Sequence, residues 1–277
     1  MTEAALYVVA TPIGNLADMV PRAIEVLQTV DVIAAEDTRH SSRLLSHFDI
    51  NTPLLAYHDH SDDRRTRMLL ERLQAGQSVA LISDAGTPLI SDPGYRLVQD
   101  VRQAGIRVVP IPGACALIAA LSASGLPSDR FTFEGFLPAK SGQRSNRLHT
   151  LQAEPRTMIF YEAPHRIEAS LADMAQAFGE DRPAVLAREV TKTFETIVGG
   201  SLAELVAFVS ADSNQRRGEM VVLVEGAQRD SSALDAEAER VMTILLGDLS
   251  VKQASALAAE ITGVKKKLLY QWALQQD

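Results

Sequence analysis

From Leu6 onward, short β-branched runs alternate with amphipathic segments: LYVVA, PRAIEVLQTV, DVIAA, TRHSSRLLSHF, PLLAY, RRTRMLLERLQAG, SVALIS, YRLVQDVRQAG and IRVVPI. This alternation restricts the chain to a mainly parallel sheet covered by helices. Helix punctuation agrees, since Asp92 precedes Pro93 at the expected start of one helix, and Gly76 and Gly105 stand just past the ends of two others. A first α/β domain is therefore expected at about residues 1–111.

A second series begins with PGACALIAALSASGLP, a small-residue helix suited to close packing. RFTFEGFL, RTMIFYE, RPAVLARE, FETIVGG and EMVVLVEG then read as strands, with HRIEASLADMAQAFG and SLAELVAFV as helices between them. Strands outnumber helices here, so the second sheet, over residues 112–227, is expected to be mixed. Residues 228–277 open with the polar linker AQRDSSALDAEAE. They continue as a helix, a tight turn and a further helix, with Ser250 as a cap and Gly263 as a stop.

Several classes of protein are excluded by composition. At 277 residues, 46% of them hydrophobic and 22% charged, the chain is globular rather than disordered or fibrous. No apolar run approaches the roughly 18 residues of a spanning helix. The N-terminus has no Lys or Arg before Arg22 and so lacks the basic segment of a signal peptide, which points to the cytoplasm. Cys115 is the only cysteine, which rules out an internal disulfide and a cysteine-cluster zinc site. A net charge of -8 argues against broad binding of nucleic acid over the whole surface. Two local basic patches stand out: Lys140, Arg144 and Arg147 in AKSGQRSNRL, and Lys265, Lys266 and Lys267 in a C-terminal stretch (250–276) of net charge +3.

The chemistry is concentrated at strand ends. ALISDAGTPLISDPGYRLV, Ala80 to Val98, places a long polar joint between two apolar runs, where an ordinary strand-to-helix loop needs about two to six residues. Thr11–Asn15 (TPIGN), Ser83–Pro88 (SDAGTP) and Ile111–Ala116 (IPGACA) all combine proline with glycine. Each alone is more often a tight turn; together, at the carboxyl ends of parallel strands, they describe a small-molecule cleft. Neither the G-x-G-x-x-G nor the P-loop signature is present, which favours a nucleoside without phosphates as the occupant. His58 and His60 alternate as metal ligands on a strand would, but no third ligand stands at a useful spacing, and no metal is expected.

The blocks LYVVATPIGNLADM, DVIAAEDTRHSSRLLSHF, LISDAGTPLISDPGYRLV, VVPIPGACALIAALSASGLPSDRFTFEGFLPAK, MIFYEAPHRI and GEMVVLVEG resemble the tetrapyrrole methylase family of class III S-adenosylmethionine-dependent methyltransferases, in the branch that modifies ribosomal RNA. The likeness extends from about Leu6 to Ala273. It implies a two-domain α/β fold with the methyl donor in the cleft between the domains, plus a helix-turn-helix-like C-terminal module. It also implies a homodimer that methylates the ribose 2′-oxygen of decoding-centre cytidine 1402 of 16S rRNA in the 30S subunit. Carried over by position, the donor contacts are Pro12, Asp84, Ala85, Gly86, Thr87, Ile90, Cys115, Ala116, Tyr161, Ala187, Met220 and Val221. The block expected to read PGPCA has Ala114 in place of its second proline, which loosens one turn.

A ribose hydroxyl is weakly acidic, so a base or a cation should assist its deprotonation. Asp37, Glu162, His165 and Lys192 are the candidates, and the sequence does not choose among them. Arg39 and Arg166, which stay protonated, suit RNA phosphate, as do Lys140, Arg144, Arg147 and Lys265–Lys267. Two other functions compete: a precorrin-type small-molecule methylase, which needs no basic patches, and a non-catalytic assembly factor, which needs no intact loops.

Overall fold

The computed structural model describes residues 3–57, 63–228 and 236–275. Residues 1–227 form one compact unit and 228–277 another. The larger unit contains two five-stranded sheets.

The first sheet alternates strand and helix: β1 (Leu6–Val9), α1 (Pro21–Thr29), β2 (Val32–Ala35), α2 (Thr38–His47), β3 (Leu54–Ala56), α3 (Asp63–Gln74), β4 (Val79–Ile82), α4 (Tyr95–Gln103) and β5 (Val108–Ile111). All its strands are parallel, in the order β3-β2-β4-β1-β5. Alternate residues enter opposite cores. Tyr7, Val9, Ile33, Ala35, Ala80 and Ile82 pack with α1 and α2 residues such as Leu27 and Leu45. Leu6, Val32, Ala34, Val79 and Leu81 pack with Leu69, Leu73, Leu97 and Val101 of α3 and α4. Burial on both faces explains why these strands are continuous apolar runs.

The second half comprises α5 (Ala116–Ser124), β6 (Phe131–Phe136), α6 (Ser141–Thr150), β7 (Thr157–Glu162), α7 (Ile167–Phe178), β8 (Pro183–Arg188), β9 (Thr196–Ser201), α8 (Leu202–Ala211) and β10 (Met220–Val224). Its sheet runs β6-β7-β10-β8-β9, with β6 and β7 parallel and the other neighbours antiparallel. One face, including Met158, Phe160 and Val222, is covered by α6, α7 and α8. The other, with Ile159, Val185, Ala187, Val221 and Leu223, packs against α5, through Leu117, Ala120 and Leu121.

The smaller unit packs α9 (Ala236–Leu246), α10 (Val251–Thr262) and α11 (Lys266–Ala273) around Met242, Ala254, Ala258 and Leu269. Ser250 and Gln253 form a capping box at the start of α10, and Gly263, in the left-handed conformation, ends it. Lys265, Lys266 and Lys267 are all exposed at the start of α11.

One local reading is corrected. Asp92 is not a helix cap: α4 begins at Tyr95 with Gly94 as its N-cap residue, because the chain turns at Ser91 (φ 64°) and leaves Asp92 half-buried. The SGQRSNR patch lies within α6. Among the described residues no helix is long and apolar enough to cross a membrane. The pair His58 and His60 lies outside the described residues.

Candidate active site

In a parallel sheet every carboxyl end opens on the same edge, and β4, β1 and β5 are neighbours, so the three proline-glycine loops that follow them meet. Thr11 and Gly86 exchange two backbone hydrogen bonds, of 2.9 and 3.0 Å, joining the first loop to the second. The Thr87 hydroxyl donates to the Ala114 carbonyl at 3.0 Å, joining the second to the third. From the far side, the Asp37 amide donates to Asp84 Oδ1 at 3.0 Å.

Against these loops the second sheet presents the ends of β7 and β10, and a cavity of about 390 Å³ lies between the two halves. Ten of the twelve residues carried over as donor contacts line it: Asp84, Ala85, Gly86, Thr87, Ile90, Cys115, Ala116, Tyr161, Met220 and Val221. Pro12 and Ala187 are buried and are not among its lining residues. Ile13, Ser91, Asp92, Phe136, Ala163, Pro164, Val190 and Glu219, which the sequence reading did not single out as site residues, also line it.

The lining carries four carboxylates, those of Asp84, Asp92, Glu162 and Glu219, against the single ammonium of Lys192. Burial pushes Asp92 up to about 6; the nearby Asp84 charge adds to the rise and the Ser83 hydroxyl opposes it. Burial likewise pushes the Tyr161 phenol up to about 12, so it stays protonated, and its oxygen accepts a 3.2 Å hydrogen bond from the Leu117 amide at the start of α5.

The four candidates for proton chemistry separate clearly. Glu162 is 2% exposed, and its oxygens accept from the Ser170 hydroxyl at 2.5 Å and the Ala163 amide at 2.8 Å, with Arg166 Nε 3.2 Å away. Its acceptor sites are occupied in holding the turn after β7. Asp37 caps α2, accepting from the Arg39 and His40 amides, and these bonds hold its carboxyl below the ordinary range. His165 is exposed and is not among the lining residues. Lys192 does line the cavity, with Nζ donating to Glu189 Oε1 at 2.9 Å and to Glu219. Burial alone would lower its pKa, but the bonds to Glu219 and Glu189 outweigh burial and raise it, so the group remains a cation at neutral pH.

The placement of Lys192 is maintained at a cost elsewhere. Its segment has Glu189 at φ 53° and Thr191 at φ 68°, a strained conformation for a β-branched residue, and the Thr191 hydroxyl is buried without a partner. Its aliphatic stem lies where a side chain on Gly14 would be, with Cγ 2.4 Å from an added Cβ, so a larger residue at position 14 would displace it.

Among the basic residues read as RNA contacts, Arg144 is corrected. It is 5% exposed, with Nε 2.6 Å from Asp173 Oδ2 and Nη1 donating to the Ala139 carbonyl, so its charge is used inside the fold. Arg166 is also largely covered, beside Glu162 and donating to the Leu137 carbonyl. Arg147 is half-exposed and paired with Glu134 at 2.5 Å, whereas Arg39 and Lys140 are exposed. Among the described residues no cluster of His, Cys, Asp and Glu could hold a metal ion.

The larger unit thus joins a parallel α/β half and a mixed half across one acid-lined cleft. The chain matches the model of the tetrapyrrole (corrin/porphyrin) methylases over residues 5–206 and that of the RsmI C-terminal HTH domain over residues 232–277. A solved cobalt precorrin-4 methyltransferase superposes with TM-score 0.58 at 17% identity, over 80% of this chain and 95% of that one. A uroporphyrin-III C-methyltransferase from Thermus thermophilus, complexed with S-adenosylhomocysteine, gives 0.54 at 19%, over 79% and 96%. These likenesses establish the fold.

Sequence similarity is more specific. The ribosomal RNA small subunit methyltransferase I of Pseudomonas aeruginosa is 62% identical, across 100% of this chain and 99% of that protein. That of Escherichia coli O157:H7 is 58% identical, across 100% and 96%. The chain belongs to the ribosomal RNA small subunit methyltransferase I family, within the tetrapyrrole methylases.

Proposed function

We propose that the protein transfers the methyl group of S-adenosylmethionine to the ribose 2′-oxygen of cytidine 1402 in the decoding centre of 16S rRNA. A carbon–oxygen bond forms as the carbon–sulfur bond breaks, the hydroxyl proton is released, and S-adenosylhomocysteine leaves. The observation that carries the donor assignment is the cleft lining, which, besides Glu162 set beside Arg166 and Glu219 paired with Lys192, carries the carboxylates of Asp84 and Asp92. Such a lining attracts a cationic sulfonium and repels a phosphate-bearing cofactor.

The donor supplies an electrophilic methyl group. Asp84 and Asp92 would face its positive charge, and Ile90, Tyr161, Met220 and Val221 would cover its apolar surface. Orienting the ribose oxygen for in-line attack is the protein's larger contribution, worth up to ~7–11 kcal/mol. Lys192 is the group suited to the developing negative charge on that oxygen.

The RNA reading is supported by the exposed lysines of α11 and by Arg39 and Lys140, and the particular nucleotide rests on family membership alone. The proposed substrate is rRNA in the 30S subunit, and the proposed form a homodimer acting in the cytoplasm. α5 supports the dimer, since it has no charged residue and leaves Ile118 49% exposed.

The test is transfer of labelled methyl from S-adenosylmethionine to 30S subunits that lack the modification. Label on the ribose of one cytidine is the expected result. Label on no RNA despite donor binding would favour a small-molecule methylase, and absence of donor binding a non-catalytic assembly factor. Changing Lys265, Lys266 and Lys267 to Ala should leave donor affinity unaltered while making the logarithmic salt dependence of RNA binding shallower by about 2–3 units. An unchanged slope would remove α11 from the RNA-binding surface.

A further inference from the structure

β6 reads Phe131-Thr132-Phe133-Glu134-Gly135-Phe136, and in a regular strand Phe133 and Phe136, three apart, would point to opposite faces. They do not. Phe133 pairs with Ile159 of β7, but the next paired residue is Gly135, opposite Phe160, and Phe136 then lies opposite Tyr161. Glu134 has no register partner on β7, so the strand carries a bulge, and Gly135 takes the left-handed φ of 65° that such a bulge asks of glycine. The extra residue returns Phe136 to the face of Phe133. Both rings meet Tyr161 edge-on, with centroids 4.9 and 5.7 Å away.

Without the bulge Phe136 would point, with Phe160, toward the core covered by α6, α7 and α8. With it, Phe136 lies on the cavity wall and is 54% exposed. The fold thus forgoes the burial of a phenyl ring, one of the largest apolar contributions a side chain can make. An irregularity that re-aims an aromatic ring into a cleft serves something that enters the cleft. The same wall continues through Ala163 and Pro164, and neither these residues nor Phe136 are among the donor contacts.

Resting on the methyl-transfer reading above, we infer that Phe136 is the platform on which the base of the target nucleotide stacks while its ribose occupies the cleft. A pyrimidine turned out of its RNA stack loses the faces of its neighbours, and an aromatic ring restores one of them. Stacking of this kind is sequence-tolerant, so Phe136 orients the nucleotide and leaves its identity to other contacts.

The experiment compares Phe136→Ala, Phe136→Leu and Phe136→Tyr by methylation of unmodified 30S subunits and, separately, by calorimetric donor binding. Phe136→Ala should lower kcat/KM for 30S about 10- to 100-fold, within the range of alanine replacements at stacking platforms. Phe136→Leu, which keeps apolar bulk against Tyr161, should fall nearly as far, Phe136→Tyr should keep at least half of the activity, and all three should bind donor within about twofold of the parent. Full activity in Phe136→Ala or Phe136→Leu, or donor affinity falling in step with activity, overturns the inference. If the parent itself labels no RNA, the methyl-transfer reading fails and takes this inference with it, an outcome distinct from any confined to the variants.

Discussion

Replacing Lys192 by methionine lowers kcat for methyl transfer to 30S subunits about 10²- to 10³-fold, the loss typical when one donor to a developing oxyanion is removed. Methionine keeps most of the stem that lies against Gly14 and removes only the charge. Because Lys192 is a cation in a cleft proposed to hold a cationic donor, its loss leaves donor affinity unchanged or tighter, so kcat falls without a rise in donor Kd. Its raised pKa adds a second expectation: between pH 6 and 9 the parent shows no titration of this residue, and the deficit of the variant stays constant. Lys192→Arg retains charge and recovers part of the rate. Single-turnover methylation across that pH range checks both statements, and a Lys192→Met rate within threefold of the parent sinks the assignment.

The strands of the first sheet were legible because burial on both faces leaves little but Val, Ile, Leu and Ala in them, and the three loops because proline and glycine recur at the strand ends. What the sequence hid was set by partners far along the chain. Arg144 sits among polar residues in SGQRSNR, and nothing local says that Asp173 will stand 2.6 Å from it. Lys192 stands in REVTK as one of four candidates for proton chemistry, and only the fold, which brings Glu219 to it from 27 residues away, separates it from the others. Asp92 mimics a helix cap because Asp-Pro before an amphipathic run is a start signal, yet the turn at Ser91 directs it to the cleft. The bulge in FTFEGF did leave a trace: a glycine inside a strand pattern marks such an irregularity.

Asp92 also controls how the cleft responds to acid. With its pKa at about 6, it is neutral below that pH and charged above it, so affinity for a cationic donor rises as pH increases from 5 to 7. The charges acting on it include Asp84, whose negative charge raises its pKa, while the protonated Tyr161 phenol stands close by. Asp92→Asn removes the pH dependence and weakens donor binding about tenfold or more at pH 8, given ~1–4 kcal/mol for a charge pair at contact distance.

The same substitution has the opposite effect on the donor-free protein. An acid whose folded pKa lies above its ordinary 3.8 opposes folding once the pH exceeds that value, and the whole penalty is present above about 6. A shift of about two units corresponds to ~3 kcal/mol, which partial exposure reduces to about 1 kcal/mol. Asp92→Asn therefore raises the donor-free Tm at pH 8 by roughly 2–4 °C and leaves it unchanged at pH 3.5. Saturating donor reverses the order, stabilising the parent more than the variant because only the parent offers the carboxylate to the sulfonium. Thermal melts with and without donor at the two pH values read all four quantities. A variant less stable than the parent without donor at pH 8 would mean that Asp92 holds the loop in place rather than storing repulsion for the donor to relieve.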